Sequence, residues 1–215
     1  MSSSEGAATI AESYKARLSV LKNGGGRRIL GIVGPPGCGK STLAAALLDF
    51  LGEGAVAVPM DGYHLANVEL ARLGRAGRKG AEDTFDSAGY VALLRRLRTQ
   101  QADEIVYAPE FRREIEEPIA NAIPVLPETP LVITEGNYLL LDHGHWSGIR
   151  GLLDEIWYVD IDHTLRRERL VKRHMRFGRS LSEAQNWVDN TDEPNAVRIE
   201  ATKPRADVLF HWEGE

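Results

Sequence analysis

The stretch ILGIVGPPGCGKST, residues 29–42, decides the fold of this chain. It opens on apolar residues that predict a short buried strand, and from Gly34 onward it matches the pattern G-x-x-x-x-G-K-S/T. The alanine- and leucine-rich residues 42–51 then predict a buried helix. Between such a strand and such a helix, glycines let consecutive backbone N–H groups surround one anion, which also faces the positive end of the helix dipole. The stretch therefore predicts a phosphate-binding loop.

This loop predicts a nucleoside triphosphate with Mg²⁺ as its ligand. We expect Lys40 to reach the β- and γ-phosphates, and we expect the Ser41 hydroxyl to ligate Mg²⁺. The alternative is a glycine-rich turn that contains a lysine by chance. Cys38 is expected to be a small loop residue, with a redox role as the alternative. The nucleotide-binding residues predicted from the motif are Gly34, Pro35, Pro36, Gly37, Cys38, Gly39, Lys40, Ser41 and Thr42.

Around the loop, predicted strands and helices alternate along a single domain, residues 1–215. The predicted strands are residues 29–33, 55–58, 131–134, 156–161 and 206–212. The predicted helices are residues 8–22, before a glycine linker that ends at residue 26, and residues 65–73, 84–99 and 164–176. Residues 105–107 and 123–126 are predicted as short strands of a small side element. The alternation predicts the α/β class, with a mostly parallel sheet and helices on both faces.

The composition restricts the classes of function. The chain has 215 residues, of which 43% are hydrophobic and 27% charged, as in an ordinary globular domain. Its net charge of -5 argues against a broad basic surface for nucleic acid. The single cysteine allows no internal disulfide, and no apolar run has the length of a membrane span or signal peptide. We therefore expect a cytoplasmic protein whose partners include neither nucleic acid nor membrane.

A carboxylate follows the second predicted strand, in the stretch VPMDGYHL, residues 58–65. Ligands of such sheets lie at the carboxyl ends of the strands, so Asp61 is expected to face the γ-phosphate. There it can accept the proton of an acceptor hydroxyl as a catalytic base, and the alternative is an Asp-Gly turn. Tyr63 and His64 follow Asp61 and are predicted to bind the acceptor, with a plain loop position as the alternative for His64.

A second carboxylate, Glu135, ends the strand predicted in LVITEGNY, residues 131–138. An acid at this place orders Mg²⁺ or its water, or holds a hydroxyl of the substrate. A purely structural role is the alternative. Asn137, two residues later, is a predicted substrate-binding residue beside Glu135 and Asp61.

An arginine-rich helix lies late in the chain, and residues 164–180 are predicted to form a lid. Arg166, Arg169 and Arg173 recur at spacings of three and four and therefore share one face of the helix. An arginine in a lid neutralises charge on the transferring phosphoryl group, and Arg169 and Arg173 are the preferred catalytic residues together with Lys40 and Asp61. The alternative is a solvated face with charge pairs.

Several negative observations narrow the class further. The chain contains neither the Asn-Lys-x-Asp sequence of GTPases nor the Leu-Ser-Gly-Gly-Gln sequence of transporter ATPases. His143 and His145 have no evident third ligand, so we predict no zinc site. The four tryptophans are expected to pack in the core. Together with Asp61 beside the phosphate loop, the two missing sequences favour a kinase that acts on a small metabolite. The alternatives are a nucleotide-binding regulatory module that transfers no phosphate and, third, a nucleic-acid-binding ATPase, which the acidic net charge disfavours.

Five segments together resemble the uridine kinase, phosphoribulokinase and bacterial pantothenate kinase group. They are the phosphate loop, VPMDGYHL, ITEGNYLLL, the arginine helix and ATKPRADVLF, and the resemblance runs from about residue 28 to residue 212. It implies a P-loop NTPase fold of three α/β/α layers with a five-stranded parallel sheet and a mobile lid. It implies ATP as donor, Mg²⁺, and Asp61 as the base that activates the acceptor. It also implies an oligomer, a homodimer or a tetramer, and an adenine site along residues 202–207 with Arg205 stacked on the base.

The acceptor is predicted only as a class: a nucleoside, a pantothenate-like molecule or a sugar. In YAPEFRR, residues 107–113, Tyr107 and Arg113 are the predicted substrate-binding residues. They match part of the Tyr-Asp-Phe pattern of uridine kinases, which continues to a His and an Arg, but the Asp is missing. The chain looks more like the nucleoside/nucleotide kinase-like branch. The basic loop, residues 72–79, is a candidate sugar-phosphate site of phosphoribulokinase type, with a solvated loop as the alternative.

Overall fold

A five-stranded parallel sheet forms the centre of the protein. The computed structural model describes residues 9–213. In chain order the strands are β1 (Arg28–Val33), β2 (Ala55–Ala57), β3 (Val106–Arg112), β4 (Glu117–Val125), β5 (Leu131–Gly136), β6 (Glu155–Val159) and β7 (Val208–Phe210). The sheet has the spatial order β2-β5-β1-β6-β7, and every neighbouring pair in it is parallel. The predicted α/β fold with five parallel strands is therefore confirmed.

Helices cover both faces of the sheet and give three α/β/α layers. They are α1 (Glu12–Lys22), α2 (Lys40–Leu51), α3 (Asn67–Arg72), α4 (Ser87–Arg98), α5 (His163–Arg176), α6 (Leu181–Trp187) and α7 (Glu193–Glu200). On one face, Leu18 of α1 and Leu43 of α2 pack in a core with Trp157. On the other face, Leu94 of α4 and Ile199 of α7 share a second core with the sheet. Because both faces are covered, β5 is buried at every position and its sequence is continuously apolar up to Thr134.

The side element is larger than the sequence predicts. β3 and β4 pair as an antiparallel hairpin of seven and nine residues, not two short strands. Its prolines hide the strand pattern, but a two-stranded ribbon has only edges, where the missing N–H of proline is tolerated. The hairpin contacts the segment that follows β2, so it forms one wall of the space beyond the strand ends.

Other boundaries differ from the predictions by a few residues. α1 begins at Glu12, and residue 8 lies outside the described residues. α3 and β7 are both shorter than predicted, because loop segments flank them. In the described part of the chain, no helix is long and apolar enough to cross a membrane.

Candidate active site

The phosphate loop connects β1 directly to α2. Gly39 precedes α2 with a φ of 94°, in the left-handed region that favours glycine, and no side chain caps the first turn. The first amide N–H groups of α2 therefore remain available to a bound anion. Gly37, with a φ of 81°, packs against α5, since a Cβ at this position would lie 2.6 Å from Cγ of Leu170. The loop is thus held between α2 and α5.

Lys40 lies across this loop and is only 8% exposed. Its Nζ donates to the carbonyl oxygens of Gly34, at 3.0 Å, and Pro35, at 3.2 Å. Cys38 is fully buried beside it, and burial raises the pKa of the Cys38 thiol. Because the thiolate is the reactive form of cysteine, these surroundings favour the packing role over the redox alternative.

Glu135 ends β5 in a buried position and bonds directly to the phosphate loop. The Ser41 hydroxyl donates to Glu135 Oε1 at 2.7 Å. Burial raises the pKa of Glu135, and the nearby Asp61 carboxylate adds to the rise, whereas Lys40 opposes it. Within residues 9–213, no three His, Cys, Asp or Glu side chains cluster as a complete metal site. Mg²⁺, which retains waters and phosphate oxygens and needs few protein ligands, fits the Ser41 and Glu135 oxygens.

Asp61 lies in a one-turn 3₁₀ helix, Met60–Tyr63, and not at the end of β2 itself. Gly62 is buried, and a Cβ there would lie 2.4 Å from the carbonyl oxygen of Pro109. Glycine therefore lets β3 pack against this turn. The packing brings Arg113 to Asp61, with Nη2 and Oδ2 3.4 Å apart. The Asp-Gly pair both turns the chain and places a carboxylate beside the hairpin.

The two residues after Gly62 face different surroundings. His64 Nδ1 lies 2.7 Å from the carbonyl oxygen of Asp61, and its ring packs between Phe85 and Phe111 at centroid distances of 4.0 Å and 4.5 Å. Burial lowers the pKa of His64, which favours the neutral imidazole. Tyr63 packs on Tyr90, with ring centroids 5.4 Å apart, at the edge of a core.

A cavity of about 410 Å³ opens between the phosphate loop, the hairpin and α5. Eight residues predicted to act in the site line this cavity: Lys40, Ser41, Asp61, His64, Arg113, Glu135, Asn137 and Arg173. Pro36 and Gly37 of the loop line it as well. The cavity thus joins the predicted triphosphate site to the predicted catalytic base.

Outside the phosphate-loop motif, residues 34–42, four predicted site residues do not line this cavity: Tyr63, Tyr107, Arg169 and Arg205. Tyr107 is 48% exposed on the outer face of β3, and Phe111 of the same strand lines the cavity instead. Arg205 donates to the carbonyl oxygen of Leu140 at 2.6 Å. Lys203, two residues before Arg205, lines a second, smaller cavity beside the phosphate loop. Base stacking by Arg205 stays a prediction.

The arginines of α5 do not share one environment, although they share one face. Arg166 is buried, donates from Nη2 to both carboxylate oxygens of Glu193 at 2.8 Å, and reaches the carbonyl oxygen of Pro36 at 3.3 Å. The start of the predicted lid is therefore fixed to the phosphate loop. Arg169 is half-buried. Arg173 is open to the solvent of the cavity, but the surrounding protein lowers its pKa by desolvation, and the Arg113 guanidinium lowers it further.

A polar wall that no sequence motif predicts is contributed to the cavity by α5, α6 and the π-helical turn Val188–Asp192. Arg179 donates to His174 Nδ1 at 3.1 Å, and His174 Nε2 lies 2.7 Å from Asp192 Oδ2. The Arg179 guanidinium lies 3.7 Å above the Trp187 ring, so Trp187 lines the site and is not only a packing residue. The capping box of Ser180 and Glu183, which starts α6, is the sequence signal that was available.

Comparison with known proteins places this geometry in a class. The profile of the Phosphoribulokinase / Uridine kinase family matches residues 29–213. A candidate uridine kinase of Schizosaccharomyces pombe is 34% identical over 93% of this chain and 88% of its own length. An ATP-dependent kinase-like protein of Aspergillus versicolor is 38% identical over 65% of this chain and 86% of its own length.

A solved structure has the same fold over nearly the whole chain. It is a candidate fructose transport system kinase from Silicibacter sp. TM1040, with a TM-score of 0.84 and 36% identity over 94% of this chain and 98% of its own. Fold and phosphate loop therefore define a P-loop kinase. The chain belongs to the phosphoribulokinase / uridine kinase family.

Proposed function

We propose that this protein transfers the γ-phosphoryl group of ATP to a hydroxyl of a small metabolite. The observation that carries the proposal is the position of Asp61 in one cavity with Lys40, Ser41 and Glu135. A nucleotide-binding module has no need of a second carboxylate at that place, whereas a phosphotransferase needs a proton acceptor there.

Each residue has a role that follows from its contacts. The amides of the loop and the Lys40 ammonium hold the phosphates, and Ser41 and Glu135 hold Mg²⁺, which neutralises phosphate charge when bound. Asp61 accepts the proton of the acceptor hydroxyl while the oxygen of that hydroxyl forms a bond to the γ-phosphorus. The bond from that phosphorus to the bridging oxygen breaks, and ADP leaves. Arg173 offsets the charge of the transferring group from the opposite wall.

The remaining cavity residues select and orient the acceptor. His64 and Phe111 supply an aromatic surface, and Asn137 supplies an amide that can donate and accept hydrogen bonds. The ion pair with Arg113 orients the Asp61 carboxylate, which is the arrangement that positions a general base.

The test is the variant Asp61→Asn, assayed for ADP release with Mg-ATP and a panel of nucleosides, pantothenate, sugars and sugar phosphates. We expect ATP affinity to persist and turnover to fall by about 10²–10⁴-fold, the usual contribution of a positioned base. The control is Asp49→Asn, at an exposed position on α2. Unchanged acceptor-dependent turnover in Asp61→Asn contradicts the base role. Tight ATP binding without transfer to any hydroxyl favours the regulatory module.

A further inference from the structure

One lysine is distinct from the other basic residues of the loop 72–79. The arginines of this loop form ion pairs with neighbouring acidic residues: Arg72 with Glu69, and Arg75 and Arg78 with Asp83. Lys79 instead lines the cavity. The loop, which the sequence leaves open between a ligand site and a solvated segment, thus directs one cation into the active site.

Lys79 has neutral hydrogen-bond partners. Its Nζ donates to Asn67 Oδ1 at 2.6 Å and to the carbonyl oxygen of Glu116. Among the residues from 9 to 213, no carboxylate forms an ion pair with it. Burial lowers the pKa of Lys79, and the nearby carboxylates of Glu117 and Glu116 oppose this only in part. An ammonium group has three donors, so one remains for a ligand. A half-buried cation with neutral partners is a suitable site for an anion.

A row of aromatic rings leads from the catalytic base to this lysine. The His64 ring is 2.7 Å from the Asp61 carbonyl oxygen and packs on Phe111 at 4.5 Å. Lys79 Nζ lies 5.2 Å from the centroid of Phe111. The His64 and Phe111 rings therefore connect the backbone of Asp61 to the Lys79 ammonium through successive contacts. A molecule along these rings, with its hydroxyl at Asp61, has its other end at Lys79.

The other cations of the cavity already have roles or partners. Lys40 lies on the phosphate loop, and Arg113 pairs with Asp61. Arg179 is linked through His174 to Asp192. Arg173 belongs to the proposed transfer step. Lys79 is the cation of this cavity that phosphoryl transfer itself does not require, so its charge points to the acceptor.

We propose that the acceptor carries an anionic group, a carboxylate or a phosphate ester, and that Lys79 binds this group at the end of the cavity remote from the reacting hydroxyl. The proposal rests on the proposed phosphotransfer and names its substrate class. The anionic group takes no part in bond making. It fixes the acceptor so that the hydroxyl at its other end reaches Asp61 and the γ-phosphate.

The experiment uses matched pairs of acceptors with the full chain. Each pair contains an anionic compound and its neutral counterpart: a hydroxy acid with its amide, and a sugar phosphate with the free sugar. We expect one anionic member to be preferred. Its KM should rise about 10–100-fold in Lys79→Gln, the usual effect of a lost charge-assisted hydrogen bond, while the KM for ATP stays unchanged. Lys79→Arg should retain most of the preference.

The matched control is Lys172→Gln, whose side chain is 79% exposed on α5. A neutral member that is accepted equally well, or a KM change that is equal for both members, overturns the proposal. If no pair is phosphorylated, equilibrium binding of the same pairs to protein loaded with a non-hydrolysable ATP analogue decides. Tighter binding of the anionic member that depends on Lys79 supports the proposal, and equal or absent binding overturns it. Asp61→Asn tests the phosphotransfer separately, so the two failures are distinguishable.

Discussion

The two ends of the cavity are built in different ways. At the phosphate end, Lys40, Ser41 and Glu135 bond to the loop or to each other, and they lie at the junctions of buried strands and helices. At the acceptor end, Lys79 and Arg173 come from a loop and from the last turns of α5, and neither forms an ion pair within residues 9–213. The phosphate end is therefore held by bonds among its own residues, whereas Lys79 and Arg173 present charges to the cavity that no described carboxylate pairs with.

This difference separates the common chemistry from the specificity. Holding a triphosphate requires fixed amides and a fixed cation, which the sheet and α2 supply through short connections. Choosing an acceptor requires side chains that can vary without disturbing the sheet, and loops and hairpins supply those. The family relationship therefore gives firmer expectations for the phosphate end than for the acceptor end.

The largest effect on stability is expected at Arg166, which links the phosphate loop to α7. Arg166 is 1% exposed and joins the Pro36 carbonyl to Glu193 of α7. Replacement by methionine, Arg166→Met, empties a buried cation position and leaves the half-buried Glu193 carboxylate with His163 as its remaining side-chain partner. It should lower the free energy of unfolding by about 3 kcal/mol, the lower end for a broken buried pair. Chemical denaturation measures this change.

The adjacent variant Arg167→Met is the control. Arg167 pairs with Asp189 at the surface, where a pair contributes about 0–1 kcal/mol. Equal losses in the free energy of unfolding would show that Arg166 contributes no more to stability than a surface ion pair does. The distinction between a fixed and an open end of the cavity would then be unsupported.

A smaller effect is expected at the open end. Arg173→Gln removes the guanidinium that faces Arg113 across the cavity, and it should lower kcat about 10–100-fold, the equivalent of roughly 1.5–3 kcal/mol. ATP affinity should change little, because Lys40 and the loop amides stay in place. Single-turnover and ATP-binding measurements separate these quantities.

Two variants on the same helix test whether the loss of turnover is specific to Arg173. Arg176→Gln, at an exposed position of α5 that does not line the cavity, should retain full turnover. Arg169→Gln should lose less than Arg173→Gln, since Arg169 lies outside the cavity. A larger loss in Arg169→Gln would restore Arg169 as the main lid residue.

The sequence predicts the phosphate end because its signals are local. A strand, a glycine turn and a helix lie together in residues 29–42, and Glu135 ends an apolar run. Their positions follow from the rule that ligands bind at the carboxyl ends of parallel strands. The predicted residues Lys40, Ser41 and Glu135 accordingly meet in one cavity.

The acceptor end depends on packing that no short pattern contains. The resemblance to the uridine kinase pattern predicts Tyr107 as a site residue, but strand alternation and a bulge in the hairpin expose it and place Phe111 inward. In the sequence, Lys79 cannot be distinguished from its basic neighbours. In the structure, Arg75 and Arg78 form ion pairs with Asp83, whereas Lys79 does not. Residues that become partners only after folding are therefore the ones that the sequence does not predict.

The last prediction concerns pH and the fixed end itself. Burial raises the pKa of Glu135 above its ordinary value of 4.5, and Asp61 is the second cause. A raised carboxyl pKa means that the folded protein binds more protons than the unfolded chain, so stability is lost as pH rises through the raised value. Glu135→Gln, which cannot ionise, should therefore melt at a higher temperature than the parent above pH 4.5, by a margin that grows with pH and then levels.

Thermal melting from pH 4 to 8 measures this margin, with the exposed Glu168→Gln as a control that should show none. The double variant with Asp61→Asn should show a smaller margin, because one of the two repelling carboxylates is gone. A margin that stays constant with pH would mean that Glu135 is not under strain from burial. In that case the fixed end would hold no repulsion between buried carboxylates, and the contrast between the two ends would rest on geometry alone.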